Sequence, residues 1–316
     1  MRIVVATTLD AQDLDRIRAA YPEDEVIETS ADNLGEALPE VEVLFTSRLK
    51  PEALAVANSL KWVQARSAGI NGYPLEELTQ RGIALTSASG AHGIPIAENF
   101  LAMMLAFATR LHLYRDLQNR QKWDKDKLED GKFELHGQTL VVLGLGGIGS
   151  ELARKAHALG MRVIGVRNRE LPSPEGVDEL VLTKDLMSVL PRADHVALCL
   201  PLTDETTHYL SAPHFRAMKR TAFVYNAGRG KSIDQVALLA ALREGRIAGA
   251  GLDVTDPEPI PEDDPIWSFP NVILTQHSSG TSPMNSTRVT DIFLENLKRY
   301  EAGEPLKNLY SAERKY

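Results

Sequence analysis

The sequence predicts an α/β protein built from two doubly wound parallel sheets, on three observations. Short apolar segments alternate with stretches of helical periodicity along most of the chain. The alternation runs twice, with one long helical segment between the two runs. The chain has 316 residues, 43% hydrophobic and 25% charged. That is the size and composition of two globular domains at roughly 100 to 200 residues each, not of a disordered or fibrous chain.

In the first run, strands are expected at residues 3–6 (IVVA), 43–47 (VLFTS), 62–67 (WVQARS) and 84–87 (ALTS), with helices between them. One helix starts at Pro51, where the missing amide donor costs little in a first turn. From Ile94 a segment apolar on nearly all sides turns amphipathic after Arg110 and continues to Trp123. It reads as one helix crossing into the second domain, with Met103, Met104 and Phe107 packing at the domain interface. The second run places strands at 140–143, 163–166, 180–182, 195–198, 222–225, 249–253 and 272–274. A last helix over 283–301 carries Val289, Ile292, Phe293, Leu297 and Tyr300 at helical spacing and should return to the first domain. The expected division is therefore residues 1–100 plus 284–316 against 101–283.

Composition narrows the function. Thirty-five Lys and Arg against 43 Asp and Glu give a net charge of −8, which argues against a nucleic-acid surface. Cys199 is the one cysteine; it sits in an apolar run as a core residue and excludes intrachain disulfides and multi-cysteine metal sites. No metal is expected. No run approaches a membrane span and the first residues, MRIVVATTLD, lack a signal pattern, so a cytoplasmic protein without membrane contact is expected.

Gly144-Leu145-Gly146-Gly147-Ile148-Gly149 matches GxGxxG directly after an apolar strand and before a helix whose stripe is Ile148, Leu152, Ala156 and Leu159, with Gly160 as its stop. In such a turn Gly144 allows the tight bend, Gly146 lets backbone approach a pyrophosphate, and Gly149 lets helix pack on strand. The diphosphate would sit on the helix N-terminus. A solvated glycine turn without ligand is the bland alternative. The following strand should end in an acid if the adenosine ribose is to be bound through its free hydroxyls. It ends instead in Arg167-Asn168-Arg169, which suits a 2′-phosphate and predicts NADP(H) preference, with NAD(H) possible; a merely solvated charged turn is the alternative.

Three later segments each put a reactive side chain after a strand: VYNAGRG with Arg229, GLDVTDPEP with Glu258, and NVILTQHSSG with His277. Together with the Gly fingerprint and PLTDET at 201–206, they form five ordered motifs, and the chain resembles the D-isomer-specific 2-hydroxyacid dehydrogenase family over most of its length. The chemistry is coherent. Reducing a 2-oxoacid needs a hydride donor, an acid for the carbonyl oxygen and a cation for the carboxylate. His277 is the candidate acid and, in reverse, base; Glu258 would orient it and supply its counter-charge; Arg229 would hold carboxylate and carbonyl as Lys could not. The other seven histidines are read as surface or core residues. Glu258 is separated from the neighbouring acids of loop 256–264, Glu262 among them, only by its spacing of five from Asp253.

The resemblance implies these same three roles and adds Asp253 near the nicotinamide amide, with Pro201 and Thr206 as cofactor contacts. It also implies two Rossmann-like or flavodoxin-like domains with the active-site cleft between them, and a homodimer. In the first domain Ser67-Ala68-Gly69-Ile70-Asn71 resembles the family's substrate loop, so Ala68 and Gly69 are substrate-binding candidates; Arg48 and Tyr73 are weaker ones. Two departures stand out: Asn71 replaces a common Asp and Gln276 a common Pro. The expected activity is reduction of glyoxylate, hydroxypyruvate or a similar small 2-oxoacid to a D-2-hydroxyacid. A phosphite-oxidising dehydrogenase and a dinucleotide-sensing corepressor are the alternatives. A formate oxidiser resembling that branch would carry Gln where Glu258 stands.

Overall fold

Parallel neighbouring strands need a crossover between them, and helices supply it along this chain. The computed structural model describes residues 1–70, 72–124 and 126–312. In order they form β1 (Arg2–Ala6), α1 (Ala11–Ala20), β2 (Glu25–Glu28), α2 (Leu34–Ala37), β3 (Val43–Thr46), α3 (Pro51–Val56), β4 (Trp62–Ala65), α4 (Leu75–Gln80) and β5 (Ala84–Thr86). There follow α5 (Gly93–Thr109), α6 (Leu111–Asn119), β6 (Thr139–Leu143), α7 (Gly147–Ala158), β7 (Arg162–Arg167), β8 (Glu179–Leu182), α8 (Leu186–Val189) and β9 (His195–Leu198). Then come α9 (Ala212–Ala217), β10 (Phe223–Asn226), α10 (Gln235–Arg243), β11 (Gly249–Leu252), β12 (Val272–Leu274) and α11 (Asn285–Glu301). The chain divides into two compact units, Met1–His92 with Ser282–Tyr316, and Gly93–Thr281.

The first unit holds a five-stranded parallel sheet in the order β2-β1-β3-β4-β5, the flavodoxin-like arrangement. Strand β2 is an addition to the four strands read from the sequence. Its four residues, EVIE, lie at the sheet edge with Glu25 and Glu28 exposed, the charged dress of an edge strand, and too short to show an alternation. Helix α11 packs here: Val289, Phe293 and Leu297 are buried, and Phe293 lies against Phe45 (ring centroids 4.6 Å) and Trp62 (5.4 Å).

The second unit holds a seven-stranded parallel sheet in the order β12-β11-β10-β9-β6-β7-β8, doubly wound outward from β6 and β9. Helix α5 belongs wholly to this unit, so the boundary expected at 100/101 cuts a helix and the division falls at 92/93. The second break lies at 281/282 instead of 283/284. Met103, Met104 and Phe107 are core residues of this unit, with Phe107 packing on Phe223 at 4.8 Å between ring centroids. The single long helix expected through Trp123 breaks at Arg110, whose φ is 61°, and α5 and α6 meet at 72°. There the Phe133 amide returns to bond the Ala108 carbonyl at 3.1 Å, taking up an acceptor the helix end leaves open. Among the described residues no single helix is long and apolar enough to cross a membrane.

Candidate active site

In an open parallel sheet, ligands bind beyond the carboxyl ends of the strands, and five motifs of the second unit stand there side by side. Along the sheet, β12 leads to His277, β11 to Asp253 and Glu258, β10 to Arg229, β9 to Pro201 and Thr206, β6 to the Gly fingerprint, and β7 to Arg167.

The fingerprint turn is built by its glycines. Gly144 has φ 92°, and a Cβ there would lie 2.8 Å from the Cys199 carbonyl. A Cβ on Gly149 would lie 1.9 Å from the Gly144 carbonyl, so only glycine lets α7 start against its strand. Gly146 caps α7 with extended backbone, and a Cβ there would meet nothing within 4 Å. That opening faces the helix N-terminus, where the amides of Gly147, Ile148 and Gly149 precede the first helical acceptor, so the residues present fit an anionic diphosphate. Leu159, assigned to the buried stripe, is instead the exposed C-cap, and the stripe is Gly149, Leu152, Ala153 and Ala156. Gly160, with φ 80°, stops the helix as expected.

At the end of β7, Arg167 is half-buried and donates through Nη1 to the carbonyls of Leu171 (3.3 Å) and Pro172 (3.1 Å), shaping its own loop; Asn168 and Arg169 are exposed. Neither arginine pairs with a carboxylate of the described residues. Thr206 is committed locally: its hydroxyl donates to the Pro201 carbonyl (2.7 Å) and accepts from the Thr203 amide (2.7 Å), closing a capping box. Cys199 is partly covered by the apolar cluster, and burial pushes its thiol well up.

Arg229 is presented by a rigid corner. The Asn226 side chain, buried at the end of β10, donates to the Arg229 carbonyl (2.9 Å) and accepts from the Gly228 amide (3.0 Å). A Cβ on Gly230 would lie 1.8 Å from the Thr255 carbonyl, so the corner is pressed against the loop after β11. The Arg229 guanidinium donates to the Gly228 carbonyl at 2.8 Å. In the next loop, Glu258 reaches His277, with Oε1 2.5 Å from Nδ1. Both side chains keep solvent access, at 39% and 54%. The contact fixes the imidazole so that Nε2 is the atom free to exchange a proton.

Gln276 and His277 both have φ 53°, two successive left-handed residues without a glycine. This explains why no proline stands before the histidine, since proline locks φ near −65°. Asp253 is buried beneath the turn, and its carboxylate accepts from the Thr275 hydroxyl (2.6 Å), the Ser278 amide (3.0 Å), the Ser279 amide (3.1 Å) and the Ser279 hydroxyl. These bonds tie Asp253 to the histidine's own loop.

In the first unit, Ala68 is exposed and Gly69 half-buried after β4, with the Ser67 hydroxyl donating to the Gly69 carbonyl at 2.6 Å. Asn71 lies outside the described residues. Arg48 is exposed and paired with Asp32. The Tyr73 phenol is buried, donates to the Thr46 carbonyl at 2.7 Å, and is raised in pKa by burial.

The family profile described as D-isomer specific 2-hydroxyacid dehydrogenase, NAD binding domain, matches residues 101–279. The chain belongs to the D-isomer specific 2-hydroxyacid dehydrogenase family. It is therefore an NAD(P)-dependent oxidoreductase with two Rossmann-like sheets. A glyoxylate reductase of Korarchaeum cryptofilum is 35% identical over 277 residues, covering 85% of this chain and 82% of that one. A D-3-phosphoglycerate dehydrogenase of Methanocaldococcus jannaschii is 32% identical, over 88% of this chain but 53% of its own greater length. Among solved structures, an NADPH-dependent glyoxylate/hydroxypyruvate reductase of Sinorhizobium meliloti, in complex with NADP and sulfate, is 25% identical. It matches with a TM-score of 0.81 over 100% of this chain and 99% of that one. Within this dehydrogenase, Asn226, Thr275 and Ser279 escaped the sequence reading. The available signal was that Asn226 closes β10 and Thr275 directly follows β12, each a small polar residue at a strand end; Ser279, five residues past β12, carried none.

Proposed function

We propose that this dehydrogenase is an NADP(H)-preferring reductase of small 2-oxoacids, glyoxylate, hydroxypyruvate or similar, yielding D-2-hydroxyacids. The observation that carries the reading is the 2.5 Å contact of His277 Nδ1 with Glu258, at the sheet edge that also carries Arg229 and the glycine turn. When bound, the reduced nicotinamide supplies the hydride for the carbonyl carbon. Gly144, Gly146, Gly147, Ile148 and Gly149 would hold its diphosphate. Arg229 binds the carboxylate of the substrate and polarises the carbonyl through paired donors. His277 gives the Nε2 proton to the carbonyl oxygen as that oxygen gains charge, while Glu258 on Nδ1 holds the ring in place; the reverse reaction uses the neutral ring as base. In the first unit Ala68 and Gly69 are the proposed substrate-binding residues.

The cofactor preference is supported by the absence of a carboxylate at the end of β7 and by Arg167, Asn168 and Arg169 standing there. A homodimer is the assembly we favour, and with a single cysteine and no disulfide a reducing, cytoplasmic setting fits. The test is oxidation of NADPH and NADH against glyoxylate, hydroxypyruvate, and branched and aromatic 2-oxoacids, by wild type and Arg167→Asp. NADPH turnover with the small oxoacids, and a preference moved toward NADH in the variant, is the expected result. An unchanged cofactor ratio removes Arg167 from the account, and turnover of the bulky acids alone removes the substrate class.

A further inference from the structure

Two consecutive residues at φ 53°, one of them the proton-transfer residue, form a backbone that side-chain-bearing residues adopt only where surrounding bonds over-determine it. Those bonds converge on one group. Asp253 takes the Thr275 hydroxyl, both amides after His277 and the Ser279 hydroxyl on its carboxylate, and its own carbonyl accepts the His277 amide at 2.6 Å. None of these donors is a cation, so the buried carboxylate is satisfied entirely by the turn it holds. Asn99 of α5 extends the set: its Oδ1 lies 3.4 Å from the Thr275 hydroxyl.

We infer that Thr275 and Ser279 are positioning residues for His277, their hydroxyls locking the left-handed turn onto the buried Asp253 carboxylate so that the imidazole stays on Glu258. A carboxylate can accept about four hydrogen bonds. The amide bonds from Ser278 and Ser279 depend on the turn already having its shape, whereas the two hydroxyls grip the carboxylate from residues on either side of the histidine. Removing one leaves a buried acceptor short of a donor and frees the turn to relax toward ordinary φ.

The inference rests on the reductase reading only where turnover is the readout, so the experiment has a second one. Thr275→Val, which keeps the side-chain shape, Ser279→Ala, and Thr275→Ser, which keeps the hydroxyl, are compared with wild type. The measurements are kcat and KM for glyoxylate, NADPH affinity by fluorescence, and the ¹⁵N shifts of His277 in histidine-labelled protein. A displaced acid costs turnover steeply, so kcat should fall between about tenfold and a hundredfold in T275V and in S279A. NADPH affinity should hold within about twofold, because the diphosphate turn is untouched. Wild type and T275S should show one fixed His277 tautomer protonated at Nδ1, and the hydroxyl-free variants an averaged pair. Unchanged His277 shifts in both hydroxyl-free variants overturn the inference whatever the turnover. Weakened NADPH binding with kcat intact overturns it too and returns Asp253 to the nicotinamide. Altered shifts in a wild-type background inactive on every oxoacid leave the positioning role standing and sink the reductase reading instead.

Discussion

At position 195, the first residue of β9, an imidazole is fully buried, with Nδ1 3.0 Å from the Tyr225 hydroxyl and Nε2 2.5 Å from Gln138 Oε1. Burial pushes its pKa down to about 4 from 6.5, with Asp194 opposing and Lys219 reinforcing. Unfolding restores the ordinary value, so between pH 6.5 and about 4 the unfolded chain binds a proton that the folded chain refuses. This contribution to stability is complete above 6.5 and is lost as pH falls through that window, on the order of 3 kcal/mol in all. His195→Gln should therefore show a shallower fall of Tm between pH 6.5 and 4 than wild type; parallel curves would contradict the buried neutral ring. The same residue shows what a sequence conceals. His277 was legible because it follows a strand inside a motif, whereas the partners of His195 come from positions 138 and 225. Ser279 was illegible as an Asp253 partner for the same reason, since a hydrogen bond across 26 residues leaves no local pattern.

The glycine turn separates two effects within one element. An Ala side chain at 149 would overlap the Gly144 carbonyl, and overpacking at a strand–helix contact costs about 1 to 3 kcal/mol. At 146 there is open space and φ is −82°, so the fold should tolerate Ala there while the approach of a diphosphate does not. Gly149→Ala should lower Tm, and Gly146→Ala should keep Tm and weaken NADPH binding in a fluorescence titration. Equal affinities for G146A and wild type would detach the cofactor from this turn. Elements with buried, apolar strands were readable from their runs alone, β6 and β9 above all. Strand β2 was not, because two of its four residues are exposed glutamates, and the α5–α6 break was not, because Arg110 adopts its φ of 61° under a tertiary contact from the segment at Phe133.

Across the whole molecule, α6 stands out as an amphipathic helix with no buried residue. Leu111 is 63% exposed, and Trp123 just beyond the helix is 96% exposed. We propose that these two side chains contribute to the face of the proposed homodimer. In sedimentation the wild type should have twice the 34.8 kDa chain mass, and the pair Leu111→Glu with Trp123→Glu should sediment as a folded single chain. A monomeric wild type, or an unaltered dimer in the double variant, would assign the face elsewhere. Two doubly wound parallel sheets, and the edge that gathers the motifs, were legible from the alternation and from the residues at the carboxyl end of each strand, whereas the strand orders were not. The unit boundaries were less legible, because α5 is apolar on most of its sides and its affiliation is decided by packing. The proposed mechanism has His277, held by Glu258, protonate a small 2-oxoacid. It is tested most directly by single-turnover reduction of glyoxylate with NADPH in wild type and His277→Asn. Loss of proton transfer predicts a fall of about a hundredfold or more in the rate, with NADPH affinity retained. Equal rates in the two proteins would contradict it.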